Sequence, residues 1–482
     1  MSSLKKGLTL LKNSSFFKNI FLVMFSNISL MFLGIVMSFA LPLFLSVENY
    51  GYWQIFLYYT SYLGMFLFGF NDGMNLRFAG IAIHKLDRKL FKSFFYFVVV
   101  FTIGLSAFLF FLLSNVNTNN NLFFIYFMLI INIVIFNING FCIHINQMTK
   151  NFKIYSALNI LERLLFVLFI PLLIWQSIDN FKILLLLNTF CRLVTMSINL
   201  YTIRQLVFCN HKNIKLFDSS SKKEIIKNFV SGFPLTMGSI FSTFISTIPR
   251  FIVEKNFTVT TYGIFSFSYS TLNLVIQIIS AMSTVFYPSI RLLDLNKQKK
   301  LFVNIKNIII LFSYLGLLSY FFVVFMIKYF YPNYIDSLKY LHFIFPLLIY
   351  QTFNSIVTSV YFKVLRKERL YLINNFIFLT ANLMGGYLAF YLFKEIKSIV
   401  LTAIFINYIW CVVSDYVISK DLQIGIKSDL LIYSPIIVTI FVLSNEYLTI
   451  WISLIIYLCI TLTIVYINLK KFISMYELVK SR

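Results

Sequence analysis

The sequence predicts an all-α integral membrane protein of about 14 transmembrane helices, in two parallel six-helix bundles around a central cavity with two helices appended. Three features predict this: a composition too poor in charge for water, apolar runs of spanning length from end to end, and an internal repeat. Of 482 residues, 59% are hydrophobic, 19% aromatic and 12% charged, whereas soluble domains carry about 25% charged residues. Mean hydropathy is +0.83. In lipid every backbone polar group must be bonded within the protein, so spans are helices or closed barrels. Barrel strands alternate apolar and polar residues. The run Leu122 to Ile135 does not alternate, which selects helices.

The expected spans are residues 19–45, 53–81, 94–115, 122–146, 157–175, 181–203, 231–253, 262–287, 307–330, 340–362, 370–393, 398–418, 430–444 and 447–469. The thirteenth is short and carries Pro435. The net charge of +24 is scattered in short clusters between apolar runs, so it indicates membrane topology rather than a nucleic-acid surface. With the N-terminus in the cytoplasm, the outer loops hold only Lys182, Lys255, Lys328, Lys339, Lys394 and Lys397. Four arginines, Arg77, Arg163, Arg192 and Arg250, fall inside spans, and the other cations fall on the cytoplasmic side. Both termini are therefore expected in the cytoplasm. The first span is read as uncleaved, being too long for a signal-peptide core and lacking a small-residue cleavage site.

The repeat joins the first span pair to the seventh and eighth. A helix runs to Tyr50-Gly51 and re-enters, and a second ends near Asn71, Asp72 and Arg77; later, Gly232-Phe-Pro234 leads to Tyr262-Gly263, with an end at Pro288 to Arg291. An even number of spans between the copies makes them parallel. The expected domains are 1–206, a linker at 207–230, 231–418, and 419–482 with the two extra helices. No large loop exists for an extramembrane catalytic domain. Cys142, Cys191, Cys209, Cys411 and Cys459 are isolated, so neither a disulfide framework nor a metal site is expected, and no cofactor.

Gly232-Phe-Pro234 through Arg250, Tyr262-Gly263-Ile-Phe-Ser266 and Tyr287-Pro288 resemble polysaccharide flippases of the Wzx type, in the multidrug/oligosaccharidyl-lipid/polysaccharide exporter superfamily. Tyr334-x-x-Ser337, Pro346, Leu365 to Arg369, Asn374-Asn375 and Gly385-Gly386 are similar in style. Many relatives carry an acid where this chain has Pro249-Arg250, so the resemblance gives no acid-based ion coupling there. It implies a transporter without covalent chemistry in the bacterial inner membrane. The implied substrate is an undecaprenyl-diphosphate-linked oligosaccharide, moved to the outer leaflet for O-antigen or another surface polysaccharide. The implied partners are that substrate, membrane lipids and other assembly proteins, with no nucleic acid. A multidrug exporter, a lipid II flippase and a membrane polymerase are the alternatives.

Candidate cavity residues follow from the cost of polar groups in lipid. Arg192 lies mid-span and either meets the diphosphate or forms a structural ion pair. Arg250 has Glu254 four residues on. Asp72 and Arg77 lie toward the inner end of span two. Asn273 with Gln277, and Gln351 with Asn354, share helix faces and serve either sugars or interhelical bonds. Glu162, Arg163 and Asp415 read as interfacial, and His144 as an interfacial residue or a proton carrier. The midplane offers no acid, which counts against a cation antiporter.

Overall fold

The computed structural model describes residues 15–116, 119–208, 218–280, 295–424 and 430–480, and every regular element among them is helical. The basic N-terminal residues Lys5, Lys6 and Lys12, together with Cys209 and Pro288 to Arg291, lie outside the described residues. Among the described residues twelve helices are long and apolar enough to cross a membrane, and a bent pair makes up to 13. Contacts divide the chain into two units, residues 1–240 and 241–482.

In the first unit, α1 (Ser15–Phe44) lies along α6 (Phe152–Trp175). The unit also holds α4 (Arg88–Ser114), α5 (Asn120–Met148) and α7 (Phe181–Val207). Side-chain caps set their starts: Asp87 accepts from the Lys89 and Leu90 amides, Asn119 from Asn121 and Asn180 from Lys182. The second expected span is not one helix. It divides into α2 (Val47–Thr60), a 3₁₀ turn (Leu63–Leu67) and α3 (Phe70–Phe78). The break falls at Phe68 and Gly69, whose φ values of 46° and 85° are left-handed. There α3 meets the helix α8 (Ser219–Asn256) almost backbone to backbone: a Cβ on Gly73 would overlap Asn228, and one on Gly232 would overlap Gly69. Phe70 anchors the contact, its ring 5.4 Å from Phe94 and 5.5 Å from Phe229. The α8 helix starts at Ser219, so part of the stretch expected as a linker is helical.

Lipid offers no hydrophobic drive between helices, so close packing and polar bonds hold them together. Between α5 and α7 these bonds form a seam. Asn132 donates to Thr189 at 2.8 Å, Asn199 to Asn139 at 2.6 Å and Asn146 to Thr202 at 3.2 Å. The α5 asparagines recur every seventh residue, the spacing that keeps one face toward a partner helix.

The second unit holds the rest of α8, α9 (Val259–Ser280), α10 (Leu295–Leu317), α11 (Ser319–Phe330), α12 (Leu338–Ile344), α13 (Leu347–Phe353) and α14 (Ser359–Val364). It ends with the helices α15 (Glu368–Phe393), α16 (Ile396–Asp421), α17 (Leu430–Tyr447) and α18 (Ile450–Lys480). The tenth expected span is bent by 59° between Ile344 and Leu347, at Pro346, where proline removes a backbone donor. A π turn, Asn354–Thr358, follows. The short thirteenth span is continuous through Pro435.

The repeat is visible in local geometry. Ser46 Oγ accepts from the Asn49 amide and its carbonyl from the Tyr50 amide at 2.9 Å. Thr258 does the same for Thr261 and Tyr262, again at 2.9 Å for the carbonyl bond. Both tyrosines are buried.

Candidate functional site

The helix α6 begins at Phe152, earlier than the span expected from the sequence, so Glu162 lies well inside it. Arg192 Nε donates to Glu162 Oε1 at 3.1 Å, and Arg192 Nη1 donates to Asn132 Oδ1 at 3.1 Å. The guanidinium carbon sits 5.9 Å from the Phe56 ring centre, and Arg192 is 8% exposed. Of the two readings of Arg192, the structure shows its ion pair. Glu162 thus brings an acid to Arg192, which the sequence did not indicate. Arg163 instead donates to the Leu30 carbonyl at 2.9 Å, joining α6 to α1.

Asp72 and Arg77 both turn to α8. Thr236 donates to Asp72. Arg77 is bonded to the carboxylate of Glu224 and, at 2.6 Å, to Asn228 Oδ1. They fix α3 against α8 at separate points rather than forming one charged group. Beside Asp72 lies a cavity of about 160 Å³, lined by Asn71, Asn137, His144 and Thr236 among others. His144 Nδ1 and Asn71 Oδ1 are inaccessible there, without a hydrogen-bond partner among the described residues. The cavity thus gathers a carboxylate, an imidazole and amides, which suits a small cation or a proton. Just before α8, Asp218 accepts from Lys89 at 2.7 Å and from the Ser221 amide at 2.8 Å. The Lys89 ammonium and those bonds hold its carboxyl well below the usual carboxylate range.

In the second unit Arg250 is buried, with Nη2 3.3 Å from the Tyr262 hydroxyl. Glu254 lies 3.1 Å from Lys255. Gln351 donates to the Ser246 carbonyl at 3.0 Å, and Asn354 to Cys411 Sγ at 3.0 Å. That pair therefore diverges to two helices, α8 and α16, and makes the interhelical bonds of the second reading. Asn273 is half-buried and Gln277 exposed.

Sequence reasoning missed a buried pair, Lys306 with Asp415. The ammonium lies 2.9 Å from both carboxylate oxygens, with side chains 4% and 11% exposed. Asp415 is thus packed inside the unit. The asparagine seam was also missed, although its seven-residue spacing stands in the sequence. Among the described residues no three His, Cys, Asp or Glu come together to hold a metal ion.

The fold has close counterparts. The lipid II flippase MurJ in an inward closed conformation matches with a TM-score of 0.62 at 14% identity, covering 95% of this chain and 100% of that one. An inward-facing multidrug resistance MATE transporter of the MOP superfamily matches at 0.56 and 13% identity, covering 83% and 94%. A point mutant of the Vibrio cholerae MATE transporter VcmN matches at 0.55 and 15% identity, covering 86% and 97%. No curated protein matches the chain in sequence. The family profile Polysacc_synt, "Polysaccharide biosynthesis protein", matches residues 16–293, more than half of the chain. The chain belongs to the polysaccharide biosynthesis protein family, with a fold shared by flippase and multidrug transporters.

Proposed function

We propose that the chain is a flippase of the Wzx type. It carries an undecaprenyl-diphosphate-linked oligosaccharide from the cytoplasmic to the outer leaflet of the bacterial inner membrane, for O-antigen or another surface polysaccharide. Family membership over residues 16–293 carries this reading. The fold alone does not choose it, because lipid II and multidrug transporters share it. With Glu162 beside Arg192, the lack of an acid near that arginine no longer counts against an antiporter.

The physical task is to lower the barrier for a charged diphosphate and a polar glycan, which hydrocarbon excludes strongly. Arg192 is the cation we assign to the diphosphate. In the state described here Glu162 neutralises it, so substrate phosphate would take the carboxylate's place. Arg offers a planar fork suited to phosphate.

The experiment is deletion and complementation in the native host. Loss of surface glycan, with lipid-linked repeat units accumulating in the inner leaflet, is the expected result. Unchanged surface glycan in the deletion strain, or rescue of a strain lacking its lipid II flippase, would replace the reading.

A further inference from the structure

Two cavities in the second unit share a wall and differ in chemistry. The first, about 510 Å³, is lined by Lys328, Lys339, Lys397, His342, Asn445 and Glu446 among others. The second, about 410 Å³, is lined mainly by apolar side chains, including Leu401, Ile404, Phe405, Val438 and Val442. Phe343, Lys397 and Glu446 line both. A polar, cationic pocket therefore adjoins an apolar one across Phe343, Lys397 and Glu446, which is the chemistry of an amphiphile with an anionic head.

The charges favour an anion. Glu446 is already engaged, with Oε2 2.6 Å from His342 Nε2 and Oε1 2.9 Å from Lys397. Lys339 lies 2.8 Å from the exposed Asp336. Lys328 is exposed and has no acidic partner among the described residues. The lining itself thus carries three ammonium groups and one carboxylate, Glu446, while Asp336 and Glu395 stand beside Lys339 and Lys397 from outside the lining. Tyr340 lines the cationic pocket and Tyr447 the apolar one, and tyrosine collects at the headgroup level of membranes.

Depth identifies the tail. The apolar pocket follows α16 from Lys397 to Tyr408, a rise of about 16 Å at 1.5 Å per residue. That is about one leaflet of a hydrocarbon core about 30 Å thick. An acyl chain fits such a groove, whereas a polyprenyl chain much longer than a leaflet would overrun it.

We propose that these adjoining cavities are a binding site for an anionic phospholipid, its phosphate among Lys328, Lys339 and Lys397 and an acyl chain against Leu401, Phe405 and Val438. This site does not depend on the transported substrate.

The test uses the full chain in a non-ionic detergent and native mass spectrometry. Dioleoyl phosphatidylglycerol and dioleoyl phosphatidylcholine are added separately. Wild type should retain phosphatidylglycerol preferentially. Lys328→Gln and Lys339→Gln alter exposed residues, and each should weaken retention about fivefold, the effect of one basic residue near an anionic surface. Leu401→Trp should fill the groove and lower retention with the lysines intact. Unchanged helical melting verifies folding of each variant. Equal retention of the two lipids, or lysine variants that retain as wild type does, would overturn the site. Displacement by inorganic phosphate with no effect of Leu401→Trp would reduce it to a simple anion pocket. Stronger retention of a polyprenyl phosphate than of phosphatidylglycerol would replace the proposed occupant.

Discussion

Arg192 Nε stands 3.1 Å from Glu162 Oε1, and the two residues lie on different helices, α7 and α6. Arg192 is buried and Glu162 partly exposed, so removing one partner strands the other charge at a cost below the about 3–5 kcal/mol of a fully buried pair. A loss of export in a single Arg192 variant could therefore report unfolding as easily as lost substrate contact. The pair has to be broken from both sides.

The double variant Arg192→Met with Glu162→Gln leaves no stranded charge. Each single change should lower the amount of folded protein in the membrane, and the double change should restore most of it. Surface glycan should stay low in the double variant if Arg192 meets the diphosphate. Full export by a well-expressed double variant would make the pair purely structural. Arg192→Lys, which keeps the charge without the fork, should retain part of the export.

Lys306 and Asp415 lie deeper in their unit. Asp415→Asn should destabilise the protein by about 3–5 kcal/mol. Lys306→Met with Asp415→Leu should recover most of that loss, since apolar replacement of a buried pair is often neutral. Thermal unfolding in detergent, followed by circular dichroism, measures both.

Gly73 and Gly232 set the approach of α3 to α8. Gly73→Leu and Gly232→Val should each abolish accumulation of folded protein, because the added atoms meet backbone rather than movable side chains. Gly104, whose added Cβ would have nothing within 4 Å, serves as control. Gly104→Ala should leave accumulation unchanged or raise it slightly, alanine being the better helix former by about 1 kcal/mol. Membrane protein levels read the comparison.

The Lys and Arg asymmetry makes a topological prediction. Reporters fused after Arg369 and at the C-terminus should signal cytoplasm, and one after Asn119 should signal the outside. A cytoplasmic signal at Asn119 would overturn the span assignment.

Much of the architecture was legible because lipid makes length and hydropathy nearly sufficient. Most of the expected spans reappear as single helices, and the Tyr50 and Tyr262 turns carry matching caps. The second span was misread because hydropathy does not register backbone conformation. Phe68 and Gly69 break the helix without breaking the apolar run. The candidate site was less legible. Lys306 finds Asp415 across a separation for which no spacing rule exists, and the same holds for Arg192 and Glu162. The asparagines at 132, 139 and 146 were readable by period, yet polar residues in an apolar run do not announce which helix they face.

That seam constrains movement. Interhelical bonds in membranes contribute about 0.6 kcal/mol each on average, so the three rungs between α5 and α7 are modest in energy but discrete in register. Sliding one helix by a single residue, about 1.5 Å, would unmake every rung at once, and only a shift of two turns would offer asparagines again. We therefore expect α5 and α7 to travel as one lever. Shape change in the first unit then concentrates where the helical ladder is already cut, at Phe68 and Gly69. Cysteines replacing Asn139 and Asn199 should crosslink equally under all transport conditions, whereas condition-dependent crosslinking would show that the lever slips.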